Sequence, residues 1–159
     1  KTYYSHLASA VEFKPNIRLR NKVMSETKNI KYIAKIIKYG LRASSEILIL
    51  YKRVVEDLTF NLPYKKYPCV MPSWDNSARR ICGATIYIDS TPSLYKDWVL
   101  KVMRNFHPYS KNENFIFVNS WNEWAEGSNL EPSEKFGRTY LESHLQAITE
   151  YEKVIGQNE

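Results

Sequence analysis

The sequence is poor in the residues on which many catalytic frameworks rest. Among 159 residues there are only 2 cysteines and 3 histidines. Cys69 and Cys82 form no C-x-x-C and have no histidine at metal-ligand spacing, so neither a zinc site nor a disulfide framework is indicated. Both are expected as reduced, half-buried thiols. His6, His107 and His144 are scattered, with His144 inside a helical pattern, and no triad of serine, histidine and acid can be assembled from them. The expectation is chemistry without a metal or other cofactor. Also missing is any run of about 18 apolar residues of the kind that spans a bilayer, and no charged-then-apolar leader opens the chain, which makes the cytoplasm the expected compartment. The first residue is Lys1 rather than Met, so a piece excised from a longer protein is expected.

The composition is that of an ordinary globular protein, with 43% hydrophobic and 25% charged residues, too apolar for a disordered chain. The net charge of +6 is unevenly spread. Residues 1–66 hold 14 Lys and Arg against 5 acids, and residues 67–159 hold 9 against 12. The basic half raises the question of an acidic partner such as nucleic acid, a nucleotide-linked donor or an anionic membrane surface. The lysines of "KNIKYIAKIIKYG" are spaced like the outer face of a helix, so a solvated face is the reading adopted, without a specific nucleic-acid partner. Peripheral contact with a membrane surface stays open.

Along the chain, "EFKPNIRLRNK" is expected as a loop around Pro15. Residues 30–39 have helical spacing with Gly40 as a stop, and "EILILYKRVVEDL" suits helix or strand equally. The second half is more explicit. Pro68 to Met71 is expected as a buried strand running into the polar turn of "PSWDNSARR". "DSTPSLYKDWVLKVMRNFHPY" predicts a helix with Thr91 as N-cap, Pro92 at its first position, and a stripe through Leu94, Trp98, Val99, Val102, Met103 and Phe106. "NFIFVNSW" predicts a strand covered on both faces. Phe136, Tyr140, Leu141, Leu145, Ile148 and Tyr151 predict a last amphipathic helix. Strand, polar loop and helix, twice over, is the alternation of an α/β protein with parallel strands, whose ligands bind at the carboxyl ends of the strands.

Both polar loops of this pattern carry the residue types of a sugar site. In "FVNSWNEWAEGSNLEP" Glu123 and Glu126 are three apart, a spacing that lets both side chains emerge on one side. Two carboxylates held close cannot both ionise easily, so such a pair divides into an acid and a base, as in retaining glycosidases. Trp121 and Trp124 offer flat apolar faces to a sugar ring, Asn119, Asn122 and Asn129 offer amides to its hydroxyls, and Gly127 admits close approach. In the other loop Asp75, Asn76 and Arg79 are candidate substrate-binding residues. Trp74 is a candidate with them, although packing suits it better than stacking. Arg79 and Arg80 fit either a clamp on a carboxylate or phosphate or a surface ion pair.

"YPCVMPSWDNSARR" followed by "FVNSWNEWAEGSNLEPSEKFGRTYLES" resembles the WbsX family of glycosyltransferases from bacterial surface-polysaccharide gene clusters, such as those for O-antigen, capsule and lipopolysaccharide. That family is similar in turn to the glycoside hydrolase family 99 endo-α-mannosidases. The resemblance covers residues 64–151. It implies an α/β fold, a (β/α)8 TIM-like barrel, acting on a glycosidic bond without metal. Glu123 is then the base that draws a proton from a mannose-like 2-hydroxyl and Glu126 the acid that protonates the leaving oxygen. The implied partners are a sugar donor and a glycan acceptor, or an oligosaccharide if the enzyme is a hydrolase, and a sugar-binding remnant without turnover is the third reading. Endo-α-mannosidases carry histidine where this chain has Ala125, and their amino-terminal "PQFHP" type string has no counterpart here. Because a barrel of this type takes about 250 residues, the chain is expected to be the carboxyl-terminal part of one, lacking its amino-terminal half. Residues 1–60 are expected as a basic, mostly helical or irregular segment of the same barrel or an insertion in it, and residues 61–159 as the βα units carrying the two loops.

Overall fold

The computed structural model of the protein describes residues 10–11 and 47–157. The loop around Pro15, the helix expected over residues 30–39 and most of the basic half lie outside the described residues. The strands form four two-stranded pairings and, among the described residues, close into no barrel. Three of the pairings are parallel. β1 (Ala10–Val11) lies beside β3 (Lys66–Tyr67), β2 (Ile47–Leu50) beside β5 (Thr85–Ile88), and β4 (Cys69–Val70) beside β6 (Phe117–Val118). Pro68 separates β3 from β4. It has no N–H to give, but its carbonyl accepts from Phe117 N at 2.9 Å, so the pairing with β6 continues past it. The fourth pairing is an antiparallel hairpin of β7 (Asn122–Glu123) and β8 (Ser128–Asn129).

The ambiguous run "EILILYKRVVEDL" is both elements at once. Its first half is β2, and α1 (Tyr51–Glu56) starts at the next residue, burying Tyr51, Val54 and Val55. α2 (Pro92–Asn105) begins as its sequence predicts, with Thr91 Oγ1 accepting from Leu94 N at 3.2 Å. It buries Tyr95, Trp98, Val99, Leu100 and Val102 and carries the chain from the loop after β4 and from β5 back to β6, the crossover a parallel pair requires. α3 (Thr139–Gly156) packs along α2. Its buried line runs through Tyr140, Ser143 and Ala147, so Leu145, expected inside, is exposed instead. Two ion pairs from α2, Lys96 and Arg104, meet on Glu150 of α3 at 3.1 and 2.9 Å.

Trp98 and Tyr51 are the largest fully buried side chains and meet edge to face at 5.4 Å. The Tyr51 hydroxyl donates to the Met71 carbonyl and so ties α1 to the end of β4. Residues on both sides of residue 60 therefore share one core. The strand of "NFIFVNSW" is shorter and less covered than its apolar run predicts. Phe115 and Phe117 remain 51% and 41% exposed: among the described residues β6 pairs only with β4, and Tyr67 meets both rings edge-on. Cys69 is buried and Cys82 exposed, so neither is half-buried, and neither is in a disulfide among the described residues.

Candidate active site

β4 and β6 are parallel neighbours, so the loops that follow them leave from the same end of the sheet. The loop after β6 is organised by two serines that flank the tryptophan-glutamate motif. Ser128 Oγ donates to the Asn119 carbonyl at 2.6 Å, while Ser120 Oγ donates to the Ser128 carbonyl at 3.0 Å and accepts from Glu123 N at 2.9 Å. The peptide between Asn119 and Ser120 is cis. Between β7 and β8 the chain makes a 3-10 turn at Trp124–Glu126, closed by Gly127 at φ +56°, whose N–H reaches the Trp124 carbonyl at 3.0 Å. One turn of three residues brings Glu126 round to the side from which Glu123 emerges.

The loop after β4 is fastened to this hairpin. Asp75 N donates to the Glu126 carbonyl at 2.8 Å, and Ser73 Oγ donates to the carbonyl of Gly127. A Cβ on Gly127 would stand 3.4 Å from both Cβ and N of Asp75, so the glycine marks a close approach of two backbones. On its other side the loop is tied to β5. Tyr87 N donates to the Trp74 carbonyl at 2.7 Å, and the buried Asn76 side chain accepts from Thr85 N at 2.8 Å. Asp75 Oδ1 accepts from Ser77 N at 2.9 Å, opening the 3-10 turn Ser77–Arg79.

That turn delivers Arg79 to the glutamates. Its Nη1 lies 3.1 Å from Glu126 Oε1 and 3.8 Å from Glu123 Oε1. The two carboxyl oxygens can be no further apart than those two distances laid end to end, a limit that includes the separation of about 5 to 5.5 Å found in retaining glycosidases. The arginine, 55% exposed, is more open to solvent than Glu123 at 39% or Glu126 at 22%.

The tryptophans divide sharply. Trp121 and Trp124 are 53% and 51% exposed beside the glutamates, whereas Trp74 is 4% exposed and belongs to the core beneath the loop. Trp124 is oriented by its indole N–H, which donates to Glu131 Oε2 at 2.6 Å. Asn122 is exposed on β7, and the Asn129 amide is turned toward the Glu131 carbonyl at 3.3 Å. The structure therefore brings Glu123, Glu126, Trp121, Asn122, Trp124, Asp75 and Arg79 to one rim. It gives Asn76 and Trp74 supporting places. Ser73, Ser120, Ser128 and Glu131 also build the rim and were not singled out from sequence, although the two serines bracket the motif. Among the described residues no group of three or more His, Cys, Asp and Glu is placed to hold a metal ion, and no helix is long and apolar enough to cross a membrane. A cavity of about 430 Å³ lies elsewhere, at the carboxyl end of α2, between Phe60, Asn61, Leu62, Asn105, Phe106, His107 and Tyr109.

The family model described as glycosyltransferase WbsX matches residues 2–144, a span that contains both loops. The chain belongs to the WbsX glycosyltransferase family. It is 31% identical over 144 residues to the uncharacterized protein WxcX of Xanthomonas campestris pv. campestris, an alignment covering 89% of this chain and 19% of the relative. To WxcX of strain B100 of the same pathovar it is 38% identical over 87 residues, covering 54% of this chain and 12% of the relative. The chain thus spans less than a fifth of the length of these curated WxcX relatives. No solved structure matches it. The description of the family is that of a glycosyltransferase.

Proposed function

We propose that this chain is the carboxyl-terminal part of a (β/α)8 barrel that transfers a sugar with retention of configuration, in the assembly of bacterial surface polysaccharide. The observation that carries the reading is the convergence of Glu123 and Glu126 on Arg79 at the carboxyl ends of parallel strands, with two half-exposed tryptophans alongside. The chemistry runs in two displacements. Glu123 takes the proton of the sugar 2-hydroxyl, and that oxygen forms a bond to the anomeric carbon. The bond to the leaving oxygen breaks with its electron pair, and Glu126 supplies that oxygen with a proton. In the second displacement an acceptor hydroxyl gives its proton to Glu126 and attacks the anomeric carbon, whose bond to the 2-oxygen breaks. The 2-oxygen recovers its proton from Glu123. Two inversions give net retention. Trp121 and Trp124 supply apolar faces for the rings on either side, and Asn122 an amide for their hydroxyls.

The acceptor decides the class of the enzyme. With a sugar hydroxyl it is a transferase, and with water an endo-acting retaining hydrolase. The test incubates the full-length protein that carries this chain with nucleoside-diphosphate hexoses plus oligosaccharide acceptors, and separately with mannose-containing oligosaccharides in water. Products are read by mass spectrometry. A lengthened acceptor supports transfer, and shortened oligosaccharide without transfer supports hydrolysis. Glycan binding with no turnover under either condition would overturn the enzymatic reading and leave a sugar-binding surface.

A further inference from the structure

We propose that Arg79 is the positioning residue of the glutamate pair, and that "WDNSARR" and "WNEWAEG" work as one unit through it; this rests on the catalytic reading of Glu123 and Glu126. Three observations carry it. First, one guanidinium nitrogen lies within ion-pair distance of both carboxylates, 3.1 Å from one and 3.8 Å from the other, so a single cation faces both. Arginine is a permanent cation with several donors in a rigid plane, suited to holding two acceptors at once.

Second, the backbone that presents Arg79 is fixed. Arg79 N donates to the Asn76 carbonyl at 3.1 Å, and Arg80 N to the Ser77 carbonyl at 3.2 Å. Asn76 is held by Thr85, and Asp75 by the backbone of Glu126. The loop leading into the cation's turn and the turn carrying the second glutamate are therefore joined by a backbone hydrogen bond. The backbones from which the cation and the second carboxylate extend are thereby tied to one another.

Third, the cation is open to solvent at 55%, above Glu123 at 39% and Glu126 at 22%. Exposed ion pairs contribute little to folding stability. An arginine kept between two carboxylates in that setting has its effect on the geometry of the site more than on the fold, and the two roles separate experimentally.

The experiment compares Arg79→Met, Arg79→Gln and Arg79→Lys with wild type in the full-length protein, using whichever of the nucleoside-diphosphate hexoses or mannose-containing oligosaccharides the wild type turns over. Arg104→Met, which removes one positive charge from the distant α2–α3 pairing, is the control. Thermal midpoints are measured alongside. The expected result is a fall in kcat of about tenfold to a hundredfold for Met and Gln, the scale that misplacing a reacting group costs, with KM changed less than kcat and the midpoint held. Lysine restores part of kcat, and the control behaves as wild type. Wild-type kcat in both Arg79→Met and Arg79→Gln, alongside inactive Glu123→Gln and Glu126→Gln, would overturn the positioning role while leaving the catalytic pair intact. Full turnover in the glutamate variants would instead remove the pair, and the role of Arg79 with it.

Discussion

Asp75 N donates to the Glu126 carbonyl at 2.8 Å, across 51 residues of sequence. That bond makes a single structure of two loops which the sequence presents separately, and it lies directly behind the side chains proposed to do the chemistry.

Gly127 closes the glutamate turn at φ +56°, a conformation that costs a residue with a Cβ roughly 1 to 2 kcal/mol. Gly127→Ala should lower stability by about that amount. Because its new methyl group would rest on Asp75 at ordinary contact distance, the strain comes from the backbone and not from a clash. Chemical denaturation checks the size, and turnover should fall with it as the two loops loosen.

The three tryptophans of the two loops should separate in a single set of alanine variants. Trp74→Ala removes a buried ring from the core and should cost about 3 to 5 kcal/mol, with loss of cooperative unfolding as the readout. Trp121→Ala and Trp124→Ala should fold with nearly wild-type stability and instead weaken glycan binding by about threefold to tenfold, the worth of roughly one aromatic contact. Equal destabilisation by all three would contradict this division.

His144 packs between α3 and α2, where its Nδ1 meets the Tyr95 hydroxyl at 2.9 Å and burial holds its pKa below the usual 6.5. The folded state therefore takes up a proton less readily than the unfolded chain. The contribution of this histidine to stability is complete above about pH 6.5 and is lost as pH falls toward its depressed folded value. Between about pH 7.5 and 5.5 the thermal midpoint of the wild type should drop further than that of His144→Gln. Parallel curves for the two proteins would contradict it.

How much of this was legible from the residues depended on the range of the interaction involved. The start of α2 was, because Thr91 and Pro92 act on the turn beside them. The glutamate pair was, because a spacing of three brings side chains to one side in any tight turn. The pairing of Arg79 with those glutamates was not, since more than forty residues intervene and nothing local distinguishes an arginine that reaches a carboxylate from one that reaches water. Burial followed the same rule. Packing suits Trp74 better than stacking on sequence alone, and it is buried where the first loop stacks on β5, whereas the exposure of both Trp121 and Trp124 had no local signal. Leu145 has helical spacing from Leu141 and Ile148, yet the line of α3 that meets α2 runs through Tyr140, Ser143 and Ala147.

The catalytic role of the pair is tested most directly by replacing each glutamate with its amide, Glu123→Gln and Glu126→Gln, in the full-length protein and measuring turnover and glycan affinity on the same preparations. Each variant should lose about a hundredfold or more in turnover, as removal of a general acid or base does. Affinity should stay within about threefold, because an amide keeps the shape of the carboxylate and most of its hydrogen bonds. Wild-type turnover in both variants would contradict the central claim.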